Sequence, residues 1–354
     1  MKICITGSTG TGSSALIDLL NEYSSCTDCG LKRYEQPLLY IRDGLFDLEN
    51  DLLLNNSAQN SHFAVKKFKK KMKFLNDHYG SWFAGYKFLY DDRFMIIVNN
   101  FIERFDYINL NGATIDGFTK YQFSFLTAIK QIYASLKFGE KYSSPLGYQL
   151  KSTGEDIFVT YPTKEEFFEN SRRFIDDYFQ LISNGTEKNV ILDHFLFEQN
   201  AQNGKLDNYF RDDFRMIVVK RDPRDVYNLN KNIWPKLINC NSGYPEDIGM
   251  FCKYFETVNC NDIKNDKLLY VNFEDLIYRY EYTVKEIEKF LNLNSADHVN
   301  KFKYFNPEKS IKNTQTYIIS EEYQNEAREI ASRLNSYLYD FPYINDTRFE
   351  DMFD

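Results

Sequence analysis

The sequence predicts an α/β fold in which a central parallel sheet lies between two helical layers, and three observations carry that expectation. Residues 3–6 form a short β-branched run that meets a Gly/Ser/Thr loop and then an amphipathic stretch at residues 14–20, the pattern of strand, tight turn and helix. Through residues 190–291, short apolar runs alternate with stretches of helical periodicity, which implies parallel strands covered on both faces. The run Met216, Ile217, Val218 and Val219 ends in Lys220 and Arg221, placing charge at the carboxyl edge of a strand, where ligands of open α/β sheets bind.

After the opening βα unit, residues 59–138 read mostly as helix; around Phe63 to Lys73 the apolar positions recur at helical spacing while lysines fill the other face. Residues 40–150 are therefore expected to be an α-helical insertion within a single domain of residues 1–354. The stretch 139–155 carries Gly, Ser and Pro and is the candidate for a mobile flap. Thr163, three residues before Glu166, makes a capping box for a helix reaching Ile182. Strands are expected at 190–193, 216–220 and 268–272, with helices at 244–257 and 274–291; in the last helix Leu276, Tyr280, Val284, Ile287 and Leu291 share one face.

Composition excludes several classes. The 354 residues hold 43 basic and 51 acidic side chains, a net charge of -8, which argues against a chain built to coat nucleic acid or an anionic membrane; any anion site must be local. No stretch approaches the roughly 20 apolar residues of a membrane span. The start has one lysine and then breaks into Gly and Ser, unlike a signal peptide, so the chain is expected in the cytoplasm. Six cysteines are too few for a disulfide scaffold, and Cys26 and Cys29 find no second pair at zinc-site spacing among Cys240, Cys252 and Cys260, so no metal is expected. The 27 Tyr and 31 Phe could line a sugar-binding cleft, but genome composition bias explains them more cheaply. Self-association is common among soluble enzymes, and a homo-oligomer is open on that ground alone.

The first chemistry-bearing segment is Gly7-Ser8-Thr9-Gly10-Thr11-Gly12-Ser13-Ser14, between strand and helix. Backbone N–H groups converge at such a helix start, and each is a donor that an anion satisfies. The spacing of Gly7, Gly12 and Ser14 is that of a P-loop, with Ser13 in place of the lysine, so the fold class is a P-loop-like three-layer α/β sandwich with a central parallel sheet and an α-helical insertion. A structural turn without a ligand is the bland alternative. The same glycines also resemble the opening of extended short-chain dehydrogenases, and Tyr133 and Lys137 supply a Tyr-x3-Lys spacing, but no acidic residue closes a second strand where a dinucleotide fold places one.

The second segment, Arg221-Asp222-Pro223-Arg224-Asp225, puts a guanidinium at the sheet edge, suited to a bidentate phosphate contact. The alternative role for Arg221 is an ion pair with Asp222 or Asp225. Taken with the loop, and with residues 268–276 leading to 287–291, this order of motifs resembles the sulfotransferases that use 3′-phosphoadenosine-5′-phosphosulfate (PAPS), in a divergent, bacterial-type form. The likeness covers about a third of the chain and matches residues 40–150 weakly.

The resemblance implies sulfuryl transfer from PAPS to a hydroxyl or amine, leaving 3′,5′-ADP, without a metal, with a glycan as the first acceptor and the insertion on the acceptor side. It assigns the 5′-phosphosulfate to Gly10, Thr11, Gly12, Ser13 and Ser14, and the 3′-phosphate to Arg221 and to a late loop holding Lys309, Ser310 and Lys312. It places the proton acceptor at His194, after the strand that precedes the arginine strand, with Asp193 as reserve or orienting group. Two positions depart from the family. Gly10 stands where a Lys or Arg is usual, and Leu229 where a Ser is usual, flanked by Asn228 and Asn230, whose amides are the candidate replacements. Losing one such donor costs on the order of 3 kcal/mol in the transition state, so turnover is expected to be slow unless Lys220, Lys309 or Lys312 substitutes. The alternatives are a P-loop kinase with Asp193 on magnesium and a nucleotide-binding protein of the same fold with weak catalysis.

Overall fold

A computed structural model describes residues 1–31, 34–79, 81–111, 156–238, 244–259 and 263–352, with residues 129, 132, 133, 136 and 137 between them. The chain builds a five-stranded sheet from β1 (Lys2–Thr6), β2 (Cys26–Thr27), β5 (Asn189–Asp193), β6 (Phe214–Lys220) and β7 (Leu268–Asn272), in the order β2-β5-β1-β6-β7. Every pairing is parallel, with Ile3 opposite Ile191 on one side and Arg215 on the other.

The two-residue period of the strands divides the interior into two cores. Ile3, Ile5, Ile191, Ile217, Val219 and Val271 face Leu16, Ile17 and Leu20 of α1 (Ser13–Leu20). Cys4, Leu192, Met216 and Val218 belong to the opposite core, with Phe68 and Met72 of α2 (Ala58–Asp77). That core continues through α3 (Tyr86–Tyr90), α4 (Arg93–Glu103) and α5 (Lys164–Ser183), where Tyr86, Phe94 and Tyr178 pack ring against ring and Phe174 packs on Phe68 and Phe101. This is the three-layer α/β sandwich that the sequence predicts.

Thr163 and Glu166 form the capping box of α5. The short α6 (Pro223–Asn228) leads on to α7 (Ile248–Asn259), somewhat later than the expected 244–257. Two elements differ. The helix expected over residues 274–291 breaks at Arg279, φ -129°, into Asp275–Tyr278 and α8 (Tyr280–Leu291), and the break lets Leu276, Ile277 and Tyr280 all face the same core.

The insertion is not helical throughout. β3 (Ile108–Asn111) pairs antiparallel with β4 (Asp156–Val159), so the backbone hydrogen bonds of residues read as helix are satisfied across the chain instead. Ile108 and Leu110 alternate with asparagines, a two-residue period too short to outweigh the helical pattern before it. Ser61 on α2 ties down the far end of β4 by accepting from Thr160 N at 2.8 Å. The expected flap at 139–155 lies outside the described residues, as does most of the chain around Tyr133 and Lys137, whose ammonium sits 5.6 Å over the tyrosine ring.

Candidate functional site

The loop after β1 is shaped by its carbonyls. Gly7 O lies 3.0 Å from His194 Nε2, Ser8 O accepts from Thr11 N and Oγ1, Thr9 O accepts from Asn230 Nδ2, and Gly10 O accepts from Arg221 Nη1 at 2.8 Å. Four consecutive acceptors are thus engaged by the protein. In a trans peptide the next N–H points away from the carbonyl, so pinning these carbonyls fixes the orientation of the loop's amides. The helix that follows has Gly12 as N-cap with no side-chain cap, which leaves the N–H groups of Ser13 and Ser14 without an intrahelical acceptor.

Gly10 and Gly12 both have φ near +93°, a region costly for other residues. A Cβ on Gly10 would lie 3.0 Å from Asn230 Nδ2 and 3.4 Å from the Trp234 ring, so a side chain there is strained by the left-handed backbone and crowded by both neighbours. A Cβ on Gly12 would meet Phe273 at 2.5 Å. Thr11, assigned to the phosphosulfate, has its hydroxyl on Ser8 O, while Ser13 and Ser14 stay half-exposed.

Arg221 lies buried at the end of β6, against the Phe273 ring at 4.5 Å. Its hydrogen bonds run to Gly10 O and Asn313 O, joining the first loop to the late one, and its Nε has no partner. Burial lowers its pKa, opposed by the charges of Asp225, Glu274 and Asp222. Those acids are held elsewhere. Asp222 takes a two-pronged contact from Arg224, at 2.8 and 2.6 Å, and Asp225 accepts from Gln315 N, Thr316 N and Thr316 Oγ1. Glu274 accepts from Asp222 N at 2.9 Å, and burial, then the charge of Asp222, raises its pKa to about 8.

Of the two flanking asparagines, Asn230 reaches the loop and Asn228 does not. Asn228, expected to donate to a phosphate, is buried with its amide on Thr316 Oγ1 at 3.0 Å and its oxygen on Asn232. The late loop is brought to the site through the Asn313 carbonyl, not through its lysines. Lys312 donates to Asp346 O, Lys309 is exposed, and Ser310 ends a short helical turn at Pro307–Ser310. Lys220 lies 4.0 Å from Glu198 and over the Tyr270 ring.

Asp193 and His194 end β5 beside the first loop. The histidine takes a left-handed backbone, φ 48°, and sets Nδ1 2.6 Å from Asp193 Oδ1 and Nε2 3.0 Å from Gly7 O. Two acceptors on two ring nitrogens select the doubly protonated imidazole. Burial alone would lower its pKa, but the Asp193 hydrogen bond and charge, with Glu35 and Gly7 O adding, raise it to about 9. As placed, the pair anchors the loop, and His194 takes up a proton only after releasing one.

Sequence reasoning missed three members of this site. Glu35 forms a parallel bridge with Asp193, so its carboxylate field reaches the imidazole, but nothing local marks it. Asn313 contributes a carbonyl, which no residue type signals. Glu274 lies within the strand-to-helix run of residues 268–276, where a charge after a buried strand is the available sign. Among the described residues no group of three or more His, Cys, Asp or Glu side chains is arranged to hold a metal, and burial raises the pKa values of Cys26 and Cys29.

Fold and loop together define an α/β protein of P-loop-like architecture. No family model matches the sequence, and no curated protein matches it. Two solved structures are similar to the chain. One is a sulfotransferase domain from the curacin biosynthetic pathway, 14% identical, covering 96% of this chain and 98% of that one with a TM-score of 0.40. The other is sulfotransferase STF9 from Mycobacterium avium, 11% identical, covering 99% and 71%, with a TM-score of 0.34.

Proposed function

We propose that this chain moves a sulfuryl group from PAPS to a hydroxyl or amine, leaving 3′,5′-ADP. The observation that carries the reading is the joint between Arg221 and the first loop. A buried guanidinium with an unpartnered Nε holds the Gly10 carbonyl of a loop whose other carbonyls are turned to protein donors, beside the open N-terminus of α1. That set suits two anionic groups on one ligand.

In this reading the amides of Gly10, Gly12, Ser13 and Ser14 hold the 5′-phosphosulfate, and Arg221 with the loop of Lys309, Ser310 and Lys312 holds the 3′-phosphate. The donor supplies an activated sulfuryl group, and the protein supplies orientation and proton acceptance. His194, oriented by Asp193, is the proposed acceptor of the proton, with Glu35 next to it. Tyr40 and Phe197, 4.5 Å apart, lie near His194, and such rings suit the flat face of a glycan.

Gly10, whose left-handed backbone disfavours any side chain, brings no cation to the loop and favours a second reading in which the chain binds the nucleotide and turns over weakly or not at all. Calorimetric titration with 3′,5′-ADP, with magnesium-ATP and NADPH as controls, tests both. Selective binding of 3′,5′-ADP is expected, and selective binding of ATP or NADPH, or silence with all three, overturns the donor assignment. Assay of sulfuryl transfer from labelled PAPS to a glycan panel then separates an enzyme from a binder.

A further inference from the structure

Six of the eight residues from Lys66 to Lys73 are lysines, in a chain whose net charge is -8. Val65, Phe68 and Met72 of the same stretch are buried in the larger core, which fixes α2 with its basic side outward. Lys66, Lys67, Lys69, Lys70 and Lys73 are exposed. Lys67, Lys70 and Lys73 follow at three-residue spacing along one side, over about 9 Å of helix axis.

Charge alone suits any polyanion; the apolar border of this face is more selective. Lys71 Nζ lies 5.2 Å over the Phe74 ring, and Phe74 stacks on His78 at 4.8 Å. Gly85 N donates to Leu75 O at 2.6 Å, which seats the start of α3 against the end of α2 and brings Lys87 and Phe88 alongside. Asp77, bonded to Lys73, also feels the Lys87 charge. Phe88 is 79% exposed, Trp82 65% and Tyr79 62%. Tyr79 and Trp82 lie in the link that follows α2, and Phe88 lies on α3, whose start is held against the end of α2. Stacking on successive bases of a single strand asks for aromatics set along a backbone-tracking groove, whereas docking on lipid asks for lysines at headgroups and rings at the interface.

We propose that this face binds the surface of an anionic phospholipid bilayer, with the α2 lysines on the headgroups and Tyr79, Trp82 and Phe88 in the interfacial layer. Docking there brings the bilayer to the segment whose Trp82 carbonyl accepts from Glu35 N at 3.1 Å, next to Asp193. The inference is independent of the donor reading.

Co-sedimentation of the full chain with vesicles tests it, using phosphatidylcholine alone and phosphatidylcholine with about one-third phosphatidylserine. Binding to the anionic vesicles alone is expected, reversed by roughly 0.5 M salt. The triple substitution Lys67→Gln, Lys70→Gln and Lys73→Gln is expected to weaken it by roughly 100-fold with unchanged thermal melting. Phe88→Ser is expected to weaken it separately. The proposal fails if anionic vesicles leave the protein in the supernatant, or if the triple variant sediments like the parent. It fails equally if the same lysines bind a single-stranded oligonucleotide while the vesicles are ignored.

Discussion

Arg221 Nη1 donates to the Gly10 carbonyl at 2.8 Å, and that contact joins the carboxyl end of β6 to the loop that opens α1. Its other terminal nitrogen holds the Asn313 carbonyl, so one buried side chain sets the spacing of both loops of the proposed donor site. Arg221→Ala is therefore expected to weaken 3′,5′-ADP far more than 5′-AMP in calorimetry, since the 3′-phosphate is the group assigned to it. Equal weakening of the two nucleotides sinks that assignment. The same substitution also strips the Gly10 and Asn313 carbonyls of their charged donor, a loss of about 3 kcal/mol in a denaturant melt.

Gly12→Ala tests the loop's backbone. Its φ of 93° and the Phe273 contact at 2.5 Å both oppose a Cβ, so a loss of about 2 kcal/mol or more in stability is expected. A variant as stable as the parent means that the loop and Phe273 are placed otherwise.

Stability is expected to fall as pH rises from weakly acid to alkaline. Glu274 is raised from 4.5 to about 8 and His194 from 6.5 to about 9, so between these values the folded chain holds protons that the unfolded chain has lost. The contribution of His194 is complete below pH 6.5 and gone above about 9; that of Glu274 is complete below pH 4.5 and gone above about 8. Glu274→Gln should flatten the lower part of the profile and His194→Gln the upper. Thermal melts across that range read both, and a stability that climbs with pH contradicts the two assignments.

His194 also carries a kinetic expectation. If it accepts the proton, kcat/KM for sulfuryl transfer rises with pH towards about 9, because the resting imidazole is protonated, and His194→Ala abolishes turnover. A rate flat from pH 6.5 to 9 moves proton acceptance off the imidazole, and Glu35→Gln is then the variant to assay.

The sequence by itself determined the layers. Strand and helix periods are local, so the parallel sheet, the Gly-rich turn before α1, the capping box at Thr163 and Glu166 and the Arg221 strand end were all legible. Tertiary structure decided what each side chain does there. Asn228 and Asn230 are two residues apart with the same chemistry, yet about half a turn of helix sends one to Thr316 and the other to the loop. β3 was misread because a strand's hydrogen bonds depend on a partner more than 40 residues away. Glu35 and Asn313 entered the site only through chain crossings, since contacts between distant segments leave no periodic trace in sequence and are fixed by how the two cores pack against the sheet.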